Sequence, residues 1–297
     1  MSRSALDASY DRCHALLREH GRTYHLASRL LPREIRPAVW ALYGFARYVD
    51  DLVDVELERA PDVAVVDEIE RLLLDGLRRG RSDHPVLAAT VDTVRRYAIE
   101  PRWLIDFLAS MRRDLTPQHY PTWEALREYT WGSAAVIGLQ MAQVIGVVGD
   151  AARARTAAAA LGDAFQITNF TRDFDEDRRR GRIYLPGELF TAAGVDPATT
   201  DRAALAPVIR AACAHARGLY REAEPGIALL QARGRPCIRA AFTLYQGILD
   251  EIEASGYDVL GVRHRVSTRR RLRLAAPLLA GSVVARVRPG PAPHRQH

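Results

Sequence analysis

Tyr43-Gly-Phe-Ala-Arg-Tyr-Val-Asp-Asp-Leu-Val-Asp54 and Gln166-Ile-Thr-Asn-Phe-Thr-Arg-Asp-Phe-Asp-Glu-Asp177 are the stretches around which this chain is organised. Both lie where apolar residues recur at helical spacing. On a helix, residues three and four apart share a face. Tyr43, Arg47, Asp50 and Asp54 therefore form one stripe, and Gln166, Asn169, Asp173 and Asp177 a second. Each stripe carries two carboxylates with an arginine close by, Arg47 in the first and Arg172 in the second. Carboxylates that share a face repel one another unless a cation lies between them. Mg²⁺ suits that place, because it takes hard oxygen ligands and keeps waters and substrate phosphates in its shell. The spacing predicts that the stripes face one cavity and clamp a metal-bound diphosphate. A lone motif of this kind reads equally well as a solvated acidic face. Here there are two, and Asp50 sits among Trp40, Leu42, Tyr43, Phe45 and Val49, too apolar for a solvated face.

Outward from these stretches, proline and glycine punctuate a succession of helical patterns, with no run of strand alternation. Helices are predicted over Ala5–Glu19, Thr23–Leu31, Pro37–Val55, Pro61–Arg79, from Pro85, and from Pro101 to Arg113. Pro37 fits a first helical turn, where its missing N–H costs nothing. Leu115–Pro121 reads as a loop. Trp131–Gly149 is uncharged, but its Ser133, Gln140, Gln143 and glycines favour a buried helix over a membrane span, with room beside it for another helix or an apolar ligand. Ala151–Asp177 reads as one long helix, Gly181 as its C-cap and Pro186 as a stop. Ala204–Glu222, Pro236–Ser255 and Ser267–Val287 complete the series.

The chain of 297 residues is 48% hydrophobic and has no linker-like shift in composition. One domain over residues 1–287 is expected, followed by a disordered, basic, proline-rich tail over 288–297. Cys13, Cys213 and Cys237 are odd in number and far apart, which argues against a disulfide framework or zinc site and fits a reducing cytoplasm. The net charge is +6, with much of the excess at Arg269, Arg270, Arg271, Arg273 and beyond. Those arginines lead into Leu272, Leu274, Leu278 and Leu279, a pattern suited to peripheral contact with an anionic membrane, such as the inner face of the cell membrane. No nucleic-acid-binding motif is present, so nucleic acid is not expected as a partner.

At these motifs the chain resembles the squalene/phytoene synthases, the head-to-head prenyl synthases. The likeness runs from about His20 to Ser267. It rests on Tyr-x-x-x-Arg-x-x-Asp-Asp-x-x-Asp at Tyr43–Asp54 and Gln-x-x-Asn-x-x-Arg-Asp-x-x-x-Asp at Gln166–Asp177, with Arg182–Pro186 and Gly256–Leu260 as further signatures. Gly132 to Met141 looks most like bacterial phytoene synthases. Phe174-Asp175-Glu176 departs from many relatives, which have a small residue at the middle position, and this leaves the ligand role of Asp175 open.

The resemblance implies an all-α isoprenoid-synthase fold around a central cavity and a Mg²⁺-dependent prenyltransferase of isoprenoid biosynthesis, with Mn²⁺ as an alternative ion. Asp50, Asp54, Asn169, Asp173 and Asp177 match metal-binding positions. His20, Gly21, Arg22, Thr23, Tyr43, Arg47, Gln166, Arg172 and Tyr245 match substrate-contacting ones, with Arg263 as a further diphosphate contact. The four aspartates and Tyr245 are the catalytic candidates. The implied reaction joins two geranylgeranyl diphosphates through prephytoene diphosphate to phytoene, with no NADPH. A squalene-, hydroxysqualene- or dehydrosqualene-forming enzyme acting on farnesyl diphosphate stands as an alternative. So does a non-catalytic, membrane-associated assembly factor of the same fold, although both aspartate clusters are intact. Tyr43 and Phe45 offer aromatic faces for a carbocation. The base is left open between Tyr245 and the released diphosphate.

Overall fold

The structure, a computed structural model, describes residues 3–59, 62–116 and 119–267. Thirteen α-helices form among them: α1 (Arg3–His20), α2 (Arg22–Ser28), α3 (Arg36–Arg59), α4 (Ala64–Arg79), α5 (Leu87–Arg96), α6 (Pro101–Asp114), α7 (Trp123–Thr130), α8 (Val136–Ile145), α9 (Ala151–Arg172), α10 (Phe174–Arg179), α11 (Gly187–Ala193), α12 (Arg202–Ala223) and α13 (Arg235–Ala254). Among the described residues there is no strand, only the isolated bridges His119–Ile183 and Val147–Leu230. The all-α expectation is met. The predicted helix from Ser267 and the tail beyond it lie outside the described residues.

Side-chain caps set three of the helix starts. Asp150 accepts from the Ala152 and Arg153 amides at the head of α9, and Asp201 does the same for Ala203 and Ala204 at the head of α12. Thr122 caps α7 through the Ala125 amide. Each satisfies donors that the first helical turn leaves orphaned. The short helices α7 and α11 are absent from the sequence reading, having too few residues to show a period.

Two of the long predicted helices are interrupted. Trp131–Ala135 is a π-turn that joins α7 to α8, and α8 ends at Gly146, whose φ is +89°. The second acidic stretch bends at Asp173, with φ −97° and ψ 9°. The hydrogen-bond ladder survives the bend: the Asp173 amide reaches Asn169 O at 2.8 Å and the Asp177 amide reaches Asp173 O at 2.9 Å. The interruption is thus a kink that redirects the chain. After α10, Gly181 adopts φ +75°, its amide bonds Arg178 O, and the Arg182 amide bonds Asp177 O. That paired closure needs a left-handed residue, which glycine supplies without strain. It turns Arg182 back toward the helices it has just left.

Helix α9 is the central strut, packed against α8, α12 and α13. Its inward face is small: Ala154, Ala157, Ala160, Gly162 and Ala164 are all buried. A Cβ on Gly162 would lie 2.4 Å from Ala134 O, and one on Gly138 would lie 2.0 Å from Ala158 O. The backbones of the π-turn, α8 and α9 therefore touch directly. One apolar cluster gathers Leu42, Phe45, Leu73 and Leu104; another gathers Phe170, Ile209, Tyr220 and Leu249. Phe165 and Ile238 pack against both. No helix among the described residues is long and apolar enough to cross a membrane, as expected for Trp131–Gly149.

Candidate active site

Two cavities adjoin inside the helices. One, of about 510 Å³, is polar and takes in both acidic stripes. The other, of about 230 Å³, is apolar and lined largely by alanine, glycine, leucine and isoleucine. They share a wall made by Tyr43, Ala46, Ser133, Ile137 and Gln166.

In the polar cavity, α3 supplies Tyr43, Arg47, Asp50 and Asp54 from one face, as the spacing predicts. Helix α9 supplies Gln166, Asn169 and Arg172, the kink supplies Asp173, and α10 supplies Glu176 and Asp177. Arg263 also reaches the cavity and pairs with Asp173 at 3.0 Å and Glu176 at 3.2 Å. Cations and carboxylates interleave. Arg47 pairs with Asp50 at 3.0 Å and also bonds Asp51; Arg172 grips the Asp173 carboxylate with two nitrogens. Asp51 thus helps to orient Arg47, whose other terminal nitrogen lies against Asp50.

The chemistry of the carboxylates is unusual. Burial pushes Asp50 up to about 6, with Asp54 and Asp51 adding and Arg47 opposing. Burial and then the Asp173 charge push Asp177 up to about 7. Carboxylates so raised lack enough positive charge nearby in the free protein. Asn169 Oδ1 and Arg47 Nε are buried with no partner, and native interiors leave few such atoms without purpose. The raised carboxylates and the open Asn169 oxygen fit a divalent cation, while the open Arg47 N–H fits an anionic ligand. Among the described residues no three acidic, His or Cys side chains cluster closely enough to cage an ion alone. Mg²⁺ needs no such cage, since one or two carboxylates with water and substrate phosphate complete its shell.

Other candidates fall elsewhere. His20 pairs with Glu19 at 3.8 Å and does not line the cavity. Gly21 does not line it either. A Cβ there would lie 2.7 Å from the Tyr43 ring, so its lack of a side chain makes room for that tyrosine. The side chains of Arg22 and Thr23 lie outside the described residues. Tyr245 lines neither cavity; it is buried in the wall behind them, 4.3 Å from Phe165 between ring centroids and close to Asn169 and Arg172. Burial raises its pKa, so it is a neutral hydroxyl. Phe45 is core, packed on Phe107, and the aromatic faces at the apolar cavity are Tyr24, Tyr43 and Phe165. Asp175 turns away: it bonds the Gly261 amide at 2.7 Å and Arg178 at 2.8 Å. Burial would raise it, but those partners prevail and hold it below the ordinary carboxylate range. It ties the end of the described chain to α10 and is no ligand candidate.

Sequence reasoning missed Asp114 and Arg182. Arg182 lines the cavity and pairs with Asp54 at 3.2 Å across 128 positions of chain. Asp114, at the end of α6, accepts the Tyr129 and Tyr184 hydroxyls at 2.8 and 3.2 Å, and burial still pushes it up to about 7. Arg182 and Tyr184 fall within the Arg182–Pro186 signature, to which the sequence pattern assigns no role. Nothing in the local pattern marks Asp114.

A family model described as squalene/phytoene synthase matches residues 17–272. Phytoene synthase 1, chloroplastic, of Zea mays is 34% identical over 290 residues, 95% of this chain and 70% of the relative. Phytoene synthase, chloroplastic, of Daucus carota is 36% identical over 278 residues, 90% of this chain and 69% of the relative. The chain thus spans about two thirds of the length of such relatives. Among solved structures, a dehydrosqualene synthase in complex with ligand aligns with a TM-score of 0.84 and 25% identity, covering 94% of this chain and 98% of that one. Squalene synthase HpnC from Alicyclobacillus acidocaldarius aligns with a TM-score of 0.75 and 26% identity, over 86% and 97%.

Proposed function

The chain belongs to the squalene/phytoene synthase family, and from that premise we propose that it condenses two geranylgeranyl diphosphates head to head to phytoene in carotenoid biosynthesis. The observation that carries this reading is the pair of cavities: a charged one suited to diphosphate adjoins an apolar one suited to prenyl chains. The curated relatives named phytoene synthase support the choice of product.

Each group has a task set by its position. Arg47, Arg172, Arg182 and Arg263 neutralise the diphosphate and its charge as it departs. Asp50, Asp54, Asn169, Asp173 and Asp177 would hold Mg²⁺, with Mn²⁺ as an alternative, and the ion supplies Lewis-acid stabilisation of the leaving group. The apolar wall keeps water from the allylic cation. Tyr24, Tyr43 and Phe165 present ring faces to that cation. Tyr245, being neutral and behind the wall, positions Asn169 and Arg172, and the departed diphosphate accepts the proton.

The alternative, a squalene-type product from farnesyl diphosphate, is favoured by the structural neighbours. One assay separates them: farnesyl or geranylgeranyl diphosphate with Mg²⁺, with and without NADPH, followed by product chromatography. The expected product is a C40 hydrocarbon formed without NADPH. A C30 product, or dependence on NADPH, would replace this reading with the alternative. A chain inactive on both would point to the assembly-factor role.

A C40 hydrocarbon does not leave into water, so release into a bilayer is physically sensible. The arginine-rich stretch after Ser267, outside the described residues, is the proposed contact with anionic lipid. Each basic residue near such a surface contributes about 1 kcal/mol. Co-sedimentation with anionic liposomes is expected to weaken with salt and to drop on truncation after Ser267. Equal binding by both chains would remove this segment as the contact.

A further inference from the structure

A third cavity, of about 370 Å³, lies between α7, α9 and α12, outside the site described above. Its deepest charged group is Asp163, whose residue surface is only 7% exposed. Asp163 Oδ1 is buried with no partner among the described residues. The Thr130 hydroxyl lies against the carboxylate but does not satisfy that oxygen. A buried, acceptor-only atom left open in a cavity wall calls for a donor from outside the protein.

The charges around the cavity say what kind of donor. Glu124 and Glu222 stand at the exposed rim, with Arg127 as the countercharge. His215 stacks on Trp123, with ring centroids 3.7 Å apart, and burial lowers its pKa, so it is neutral near pH 7. Three carboxylates face one guanidinium, so the cavity carries net negative charge and favours a cationic donor over a neutral one. A hard metal ion has little to hold it here, because Asp163 is the one buried carboxylate of the cavity and Glu124 and Glu222 stand exposed at its rim. A compact ammonium is different: it carries the charge on three donors and needs no fixed coordination shell. Leu126, Ile167 and Leu219 offer an apolar wall for a short alkyl chain.

We propose that this cavity binds a small primary amine, whose ammonium group donates to the buried carboxylate of Asp163. The site is separate from the prenyl diphosphate cavities and does not depend on the reaction assigned to them. Trp123 and Trp131 line it and report on its occupancy.

The test is a tryptophan-fluorescence titration of the full chain with n-butylamine at constant ionic strength, with tetramethylammonium, which cannot donate, as the control cation. A saturable change is expected with butylamine and none with the control. Asp163→Asn is expected to weaken binding about tenfold or more, the scale of losing a hydrogen bond to a charged group. Ala159→Phe, which keeps Asp163 but fills the cavity, is expected to abolish it and serves if the first variant does not fold. Binding is also expected to weaken as pH falls through about 6, where Asp163, raised chiefly by burial and a little by Glu222 against Thr130 and Arg127, takes up a proton. No saturable response, an equal response to tetramethylammonium, or unchanged affinity in a folded variant would overturn the assignment.

Discussion

Asp50→Asn is expected to lose at least about a thousandfold in turnover of prenyl diphosphate, on the scale of removing a preorganised electrostatic contact from a transition state. The same substitution is expected to make the metal-free protein more stable. Asp50 is held at about 6 and Asp177 at about 7, both above the ordinary carboxylate value, chiefly by burial and by carboxylate neighbours. The folded chain therefore keeps protons that the unfolded chain releases. In that window stability falls as pH rises, and the penalty is complete once pH exceeds the folded values. Removing the Asp50 charge removes its share of the slope. Arg47 is not left unpaired, because it keeps Asp51. Histidines with lowered pKa, such as His14 and His84, act in the opposite direction below about 6.5, so the comparison belongs at higher pH. Thermal melts in chelator at about pH 8 check the stability claim, and a product assay with Mg²⁺ checks the activity. Asp173→Asn makes the contrast. It strips a partner from Arg172 and Arg263 and is expected to lower stability while also losing activity. Near-normal turnover in the Asp50 variant would remove that residue from the proposed metal set.

What the chain reveals before folding, and what it conceals, divides along one physical line. Tyr43, Arg47, Asp50 and Asp54 lie on one uninterrupted helix, so their spacing alone places them on one face of α3. Gln166, Asn169 and Asp173 are legible for the same reason, up to the kink. Asp177 lies beyond the kink, and it reaches the cavity because the ladder continues through Asp173 while the axis turns. Local patterns do not announce such a turn. Arg182 depends on a glycine closure after α10, and Asp114 on the packing of α6 beside α3. Both are contacts between distant segments, and a helical period carries no information about them. Tyr245 shows the reverse case. Its place on an apolar stripe agrees with its burial behind the cavities, whereas the direct role comes from the family likeness alone. The family likeness pointed to residues that meet in the polar cavity, but it did not reveal that Gly21 makes room for Tyr43 or that Asp175 faces away.

Gly162→Ala carries the second large effect, and two opposing terms decide its sign. Within a helix, alanine is favoured over glycine by about 1 kcal/mol. The Cβ, however, would sit 2.4 Å from Ala134 O and 3.0 Å from Ala135 Cα, both backbone atoms of the π-turn. Backbone cannot rotate away as a side-chain tip can, so α9 must move off the turn. Overpacking of a tight core costs about 1–3 kcal/mol even where side chains can yield. The steric term therefore outweighs the propensity term, and a net loss of about 2 kcal/mol is expected, or about 4–8 °C in melting temperature. Gly162→Val is expected to lose more, since branching adds bulk on the same side. Gly218→Ala on α12 is the control: its Cβ would meet only Arg221 Nη2 at 3.8 Å, so the propensity gain stands and stability is expected to rise slightly. Function should follow the same geometry. Gly162, Ala134 and Gly138 line the apolar cavity, so a displaced α9 is expected to alter which prenyl chain length the protein accepts as well as how stable it is. Differential scanning calorimetry of the three variants, with the ratio of C15 to C20 substrate turnover measured on each folded protein, checks both consequences. A Gly162→Ala chain that melts at or above the parent would mean that the π-turn and α9 yield to each other easily, and the close backbone approach would then not be what shapes the cavity.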